Sequence, residues 1–167
     1  MGKHPNLNTA IKAAVALVLL RLLAFSANVN WEMLDIAFVA VALAAVIPLA
    51  IYAVWPRENV AQGFLKQTAG AMRITAFYGL LITVFLFVFY SFIDREFFEV
   101  MQNRIIENEL QNTPKEQHEK IRNNVPEFFS LGNFTAMVLI LFIASAAFYS
   151  ILFSALRSII DKRKAGA

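Results

Sequence analysis

Four long apolar stretches, at about residues 10–27, 34–55, 71–93 and 134–160, constrain this chain more than anything else in it. Each has roughly the 20 residues a helix needs to cross a hydrocarbon core of about 30 Å. Other backbone arrangements fail at that depth, because an unpaired N–H or C=O in lipid costs several kcal/mol. The reading is therefore an all-α membrane protein with four transmembrane helices. Arg21 interrupts the first stretch, which argues for a retained span rather than a cleaved leader. The spans and one loop occupy the whole of residues 1–167, so a single four-span membrane domain is expected.

The charges between the stretches alternate. Lys3 and Lys12 precede or open the first, with no acid nearby. Glu32 and Asp35 follow it without a base. Arg57, Lys66 and Arg73 then face Glu58 alone. The long third connection is acid-rich, and the end of the chain carries Arg157, Lys162, Arg163 and Lys164 against Asp161. Basic excess marks cytoplasmic ends. Both termini and the middle connection are expected in the cytoplasm, with the long loop outside, in a bacterial inner membrane. The formal net charge of +3 is thus spread over helix exits and is not a nucleic-acid signal. Trp31 and Trp55 fall at span ends, where indole rings prefer the interface.

Packing signals are periodic. Small residues recur every four positions at Ala71, Thr75, Gly79 and Thr83, and again at Ala146, Ser150, Ser154 and Ser158. Lipid tails do not drive apolar helices together, so close approach along small faces must. Spans three and four are expected to meet along these stripes. Span two is alanine-rich, and Pro48 is expected to kink it or loosen its last turn. Arg21 is costly at membrane depth and needs a partner, water or an interface. Asp35 or Glu32, across a short hairpin, are the expected ion-pair partners; a lipid phosphate or a partner's acid is the alternative.

The loop at residues 94–130 is expected to form a helical hairpin on the extracytoplasmic side. Phe97, Phe98, Met101, Ile105 and Leu110 keep helical spacing. Thr113, Pro114 and Glu116 then suggest a capping box opening a second helix, which Pro126 should end. The segment at residues 62–73 is expected to lie along the inner surface, with Lys66 and Arg73 contacting lipid headgroups.

Chemistry is thinly provided. Cysteine is absent. The two histidines, His4 and His118, belong to different segments that the expected topology places on opposite sides, which disfavours a shared metal site. No serine has a histidine and acid suited to a triad, and no Gly-rich phosphate loop exists. No catalytic residue, cofactor or metal is expected.

Gly63 and Phe64, Met72, Tyr78 and Gly79, then Tyr90, Ser91, Phe92, Ile93 and Asp94 with Phe97 and Phe98, and finally Tyr149 and Ser150 before a basic tail, carry a resemblance. The chain resembles an uncharacterised family of small four-helix bacterial inner-membrane proteins common in Bacteroidetes. Many members have proline after the aspartate, where this chain has Arg95. The resemblance implies four helices, an inner-membrane location and no established activity. It also implies frequent encoding near polyprenyl-phosphate glycosyltransferases.

The expected function is a non-enzymatic accessory or scaffold subunit of an inner-membrane complex, with membrane lipids and other membrane proteins as partners. Alternatives are a partner of a polyprenyl-phosphate glycosyltransferase that presents or flips lipid-linked sugar, and a small channel or transporter.

Overall fold

The computed structural model describes residues 7–27, 34–55 and 63–165, and among them every regular element is helical. Four helices are long and apolar enough to cross a membrane: Leu7–Ser26, Ile36–Val54, Phe64–Ile93 and Leu131–Arg163. The chain divides into two compact units, one of residues 1–82 and 139–167 and the other of residues 83–138.

In the first unit, α1 (Leu7–Ser26) is the least covered span. Its buried residues are Ala10, Ala14 and Arg21. The second span is two helices, α2 (Leu34–Ala44) and α3 (Val46–Val54), interrupted at Ala45. Pro48 explains the interruption one turn upstream of itself. It has no N–H for the Ala44 carbonyl, and in an unbroken helix its ring would clash with that carbonyl. The neighbouring bond from Leu49 N to Ala45 O is stretched to 3.4 Å.

α4 (Phe64–Val88) is one unbroken helix. Lys66 N and Gln67 N both donate to Gly63 O, so the ladder begins there. From Phe64 onward, the segment expected to lie along the membrane surface belongs to the same continuous helix as the third span. Gly70 does not break it, because one glycine costs a helix only about 1 kcal/mol. Burial along α4 follows Gln67, Ala71, Ile74, Thr75, Tyr78, Gly79 and Ile82, the spacing of one helix face. α7 (Leu131–Ala165) buries Phe142, Ala146, Ser150, Ser154 and Arg157 in the same rhythm. At 1.5 Å per residue this helix is about 50 Å long, well beyond a hydrocarbon core.

The second unit opens with the end of α4. Residues Phe89–Ile93 form a π-turn closed by Asp94 N donating to Phe89 O at 3.0 Å. Tyr90 is buried there among rings, with Phe89, Phe97, Phe98 and Phe134 centroids 4.7–5.7 Å away. Asp94 leaves helical geometry (φ −114°, ψ 65°), so span three does not run straight into α5 (Phe97–Asn112). α5 stops at Thr113, which is extended because a residue before proline avoids the helical region. The expected capping box does not form. Pro114 is also extended (ψ 145°), a 3-10 turn follows at Lys115–Gln117, and neither it nor α6 (His118–Phe128) has a side-chain cap. A His118 ring nitrogen instead bonds Thr113 O at 2.9 Å. Pro126 does not end α6, which continues to Phe128. That close to a C-terminus, proline removes a single ladder bond.

Candidate functional site

Two buried polar side chains of the first unit, Tyr78 and Arg157, tie helices together. Tyr78 is fully buried on α4, and its Oη donates to Ala42 O on α2 at 3.0 Å. Its ring meets Phe142 of α7 edge-on, with centroids 5.9 Å apart. One tyrosine therefore links three helices. Beside it, Gly79 lacks the Cβ that would hold α4 away from α7 at this level. A Cβ built there would sit 2.5 Å from Phe142 Cβ and 2.8 Å from its Cγ. The glycine permits contact at the level of the backbones.

A second tie lies where α3 ends. The last carbonyls of any helix lack an intrahelical donor and carry the negative end of its dipole. Arg157 of α7 supplies both a donor and a positive charge. Its Nη1 donates to Val54 O, and its Nε reaches Asp161 Oδ2 at 3.4 Å. Side chains on a helix lean toward its N-terminus. Arg157 therefore leans back along α7 to meet the α3 end. Next to it, Trp55 meets Phe153 edge-on at 6.1 Å.

These contacts orient the spans. Ala42 and Phe142 share the Tyr78 level, while Val54 and Trp55 share a level with Arg157 and Phe153. Span two and α7 thus run in the same direction. α4 starts only a short connection after Trp55 and runs against both. Gln67 lies twelve residues before Gly79 and Ser154 twelve after Phe142, so these two buried polar residues share one level. Ser150 Oγ and Ser154 Oγ are buried without a hydrogen-bond partner among the described residues.

The small-residue positions are placed as follows. Ala71, Thr75 and Gly79 are buried on α4; Ala146, Ser150 and Ser154 are buried on α7; Ser158 is half-buried. Thr75 Oγ1 donates back to Ala71 O at 2.9 Å, which keeps its hydroxyl satisfied within the helix. Thr83 is buried in the second unit. Arg21 is only 4% exposed, so it is enclosed rather than snorkelling into water. Glu32 and the Asp35 side chain lie outside the described residues, and with them the expected Arg21 pairs. Lys66 and Arg73 are both exposed on α4.

In the second unit, Gln102 Nε2 donates to Phe129 O at 2.9 Å and joins α5 to the end of α6. Between these helices lies an open groove of about 440 Å³, with Ile105, Ile121 and Val125 beneath and Glu109, Lys120 and Asn124 exposed around it. Among the described residues, no three His, Asp or Glu side chains converge as a metal site would require.

Sequence reasoning missed two residues of consequence. Arg157 counted only as part of a basic tail, and Tyr78 only as part of a resemblance. Their spacing carried a signal: both fall on the buried face of their helix, where a polar tip needs a partner.

No curated protein and no solved structure matches the chain. A family model described as "Protein of unknown function (DUF4199)" matches residues 8–163, so the chain belongs to that family.

Proposed function

We propose that this chain is a non-enzymatic accessory or scaffold subunit of a bacterial inner-membrane protein complex. In this reading both termini and the connection before α4 are cytoplasmic, and α5 and α6 form a helical hairpin outside. The observation that carries it is the use of the polar interior. Tyr78 and Arg157 are engaged in joining helices, and Gly79 closes the space between α4 and α7. Large apolar side chains meanwhile face outward along every span, including Leu20, Leu23, Ile36, Val84, Ile140 and Phe148. α1 in particular offers a long uncovered face. Lipid covers such side chains as well as a protein neighbour would, so the reading rests on the polar interior being used to join helices.

Extraction from native membranes into lipid-retaining particles, followed by mass measurement and crosslinking, tests the reading. Reproducible particles holding one or more further membrane proteins are expected. A lone monomer at native expression would sink it. Sidedness has its own test, because the sequence contains no cysteine to interfere. Lys164→Cys should resist an impermeant thiol reagent in intact cells, while Glu107→Cys should react. The opposite pattern inverts the topology.

A further inference from the structure

The third span carries an exposed arginine below its own entry point. Trp55 marks one membrane boundary of the first unit, since an indole at a span end prefers the interface. Its contact, Phe153, lies eleven residues past Phe142. Because α4 runs against α7, the same level on α4 is eleven residues before Gly79, at Thr68. Arg73 is five residues deeper, roughly 8 Å at 1.5 Å per residue. It is exposed on the side of the helix. Neither Arg73 nor Lys66 makes an ion pair or side-chain hydrogen bond with another described residue. Arg157, by contrast, is buried and held by Val54 O and Asp161.

Seven residues separate Lys66 from Arg73, close to two helical turns, so both project from one face. Helical side chains lean toward the N-terminus, and the N-terminus of α4 is at this boundary. The Arg73 guanidinium therefore leans up toward the headgroups from within the apolar layer. A cation at that depth costs at least about 2.5 kcal/mol unless it snorkels or draws polar groups inward. The Cα atoms of the two residues are about 10 Å apart along the axis. Two long side chains span that distance onto one oxyanion. Guanidinium in particular presents paired donors that match phosphate oxygens. Leu65, 80% exposed, and Met72 lie beside the two cations and offer apolar surface for acyl chains.

We propose that the face of α4 bearing Lys66 and Arg73 binds the phosphate of an anionic membrane lipid, with Arg73 as the principal contact. This rests on the membrane-embedded reading of the four spans and is independent of whether the chain has protein partners.

The test uses the full chain in detergent, titrated with phosphatidylglycerol, phosphatidylcholine or inorganic phosphate and read by native mass spectrometry. Phosphatidylglycerol should be retained at least tenfold better than phosphatidylcholine. Arg73→Gln should remove most of that preference, Lys66→Gln part of it, and Arg73→Lys should keep more than Arg73→Gln does. Lys162→Gln, at the exposed end of α7, should leave it within twofold. Equal retention by the wild type and Arg73→Gln, with unchanged helicity by circular dichroism, would overturn the proposal. So would phosphate competing at the same concentration as the lipid, which would mean a soluble ligand. Failure of the chain to enter bilayers at all would refute the membrane reading itself, a result separate from any loss of lipid preference.

Discussion

Replacing Gly79 by alanine sets two effects of opposite sign against each other. Within a helix, alanine is favoured over glycine by about 1 kcal/mol. Against this, the added Cβ would stand 2.5 Å from Phe142 Cβ, where ordinary contact starts at 3.4 Å. Phe142 cannot turn away, because its Cβ is fixed to the α7 backbone whatever the rotamer. The two helices must separate by the missing distance or bend. Overpacking of this kind costs about 1–3 kcal/mol, and the immovable contact places Gly79→Ala at the upper end. The net expectation is a loss of about 2 kcal/mol, or roughly 4–8 °C in Tm for a chain of this length. Gly70 is the internal control. It lies on the same helix with nothing within 4 Å of its built Cβ, so Gly70→Ala should raise Tm or leave it unchanged. Thermal unfolding in mild detergent, followed by circular dichroism, measures both. A double-mutant cycle sharpens the result: in a Phe142→Gly background the obstruction is gone, and Gly79→Ala should become neutral or stabilising. A stabilising Gly79→Ala in the wild-type background would refute the close approach of α4 and α7.

Two further outcomes follow from the ties in the first unit. Tyr78→Phe leaves the Ala42 carbonyl without the donor that reaches it at 3.0 Å, and should cost about 0.5–1.5 kcal/mol by the same assay; no change in Tm would show that the hydroxyl is not engaged. Arg157→Leu strips the α3 end of its donor and takes the Arg157 cation from Asp161, and should cost about 1–3 kcal/mol and speed amide exchange in the last turn of α3. Arg157→Lys should recover part of the loss, and unaltered exchange at residues 51–55 in Arg157→Leu would remove the tie from the account.

The number and type of the spans were legible in the sequence because the bilayer imposes a crude requirement. About 20 apolar residues in a row leave the chain few options. Local chemistry was legible where a single residue acts on its own backbone. Pro48 foretold the interruption of span two, and the run from Thr113 to Glu116 foretold a break between two helices of the loop. Local signals failed where two rules competed. Thr113, Pro114 and Glu116 have capping-box spacing, yet the extended geometry around proline prevailed and His118 took the Thr113 carbonyl. Pro126 was read as a stop, although a helix about to end loses little to it.

Polar partners belong to the tertiary structure alone. Tyr78 and Ala42 are 36 residues apart in sequence, and Arg157 and Val54 are 103 apart. No periodicity in one helix specifies which carbonyl on another will receive its donor. The small-residue stripes named the faces available for packing, but which atom stands against Gly79 depended on the register of two helices. Hydrophobic length acts residue by residue, so composition reveals it. Hydrogen bonding and close packing act between particular atoms of distant segments, so only the folded arrangement decides them.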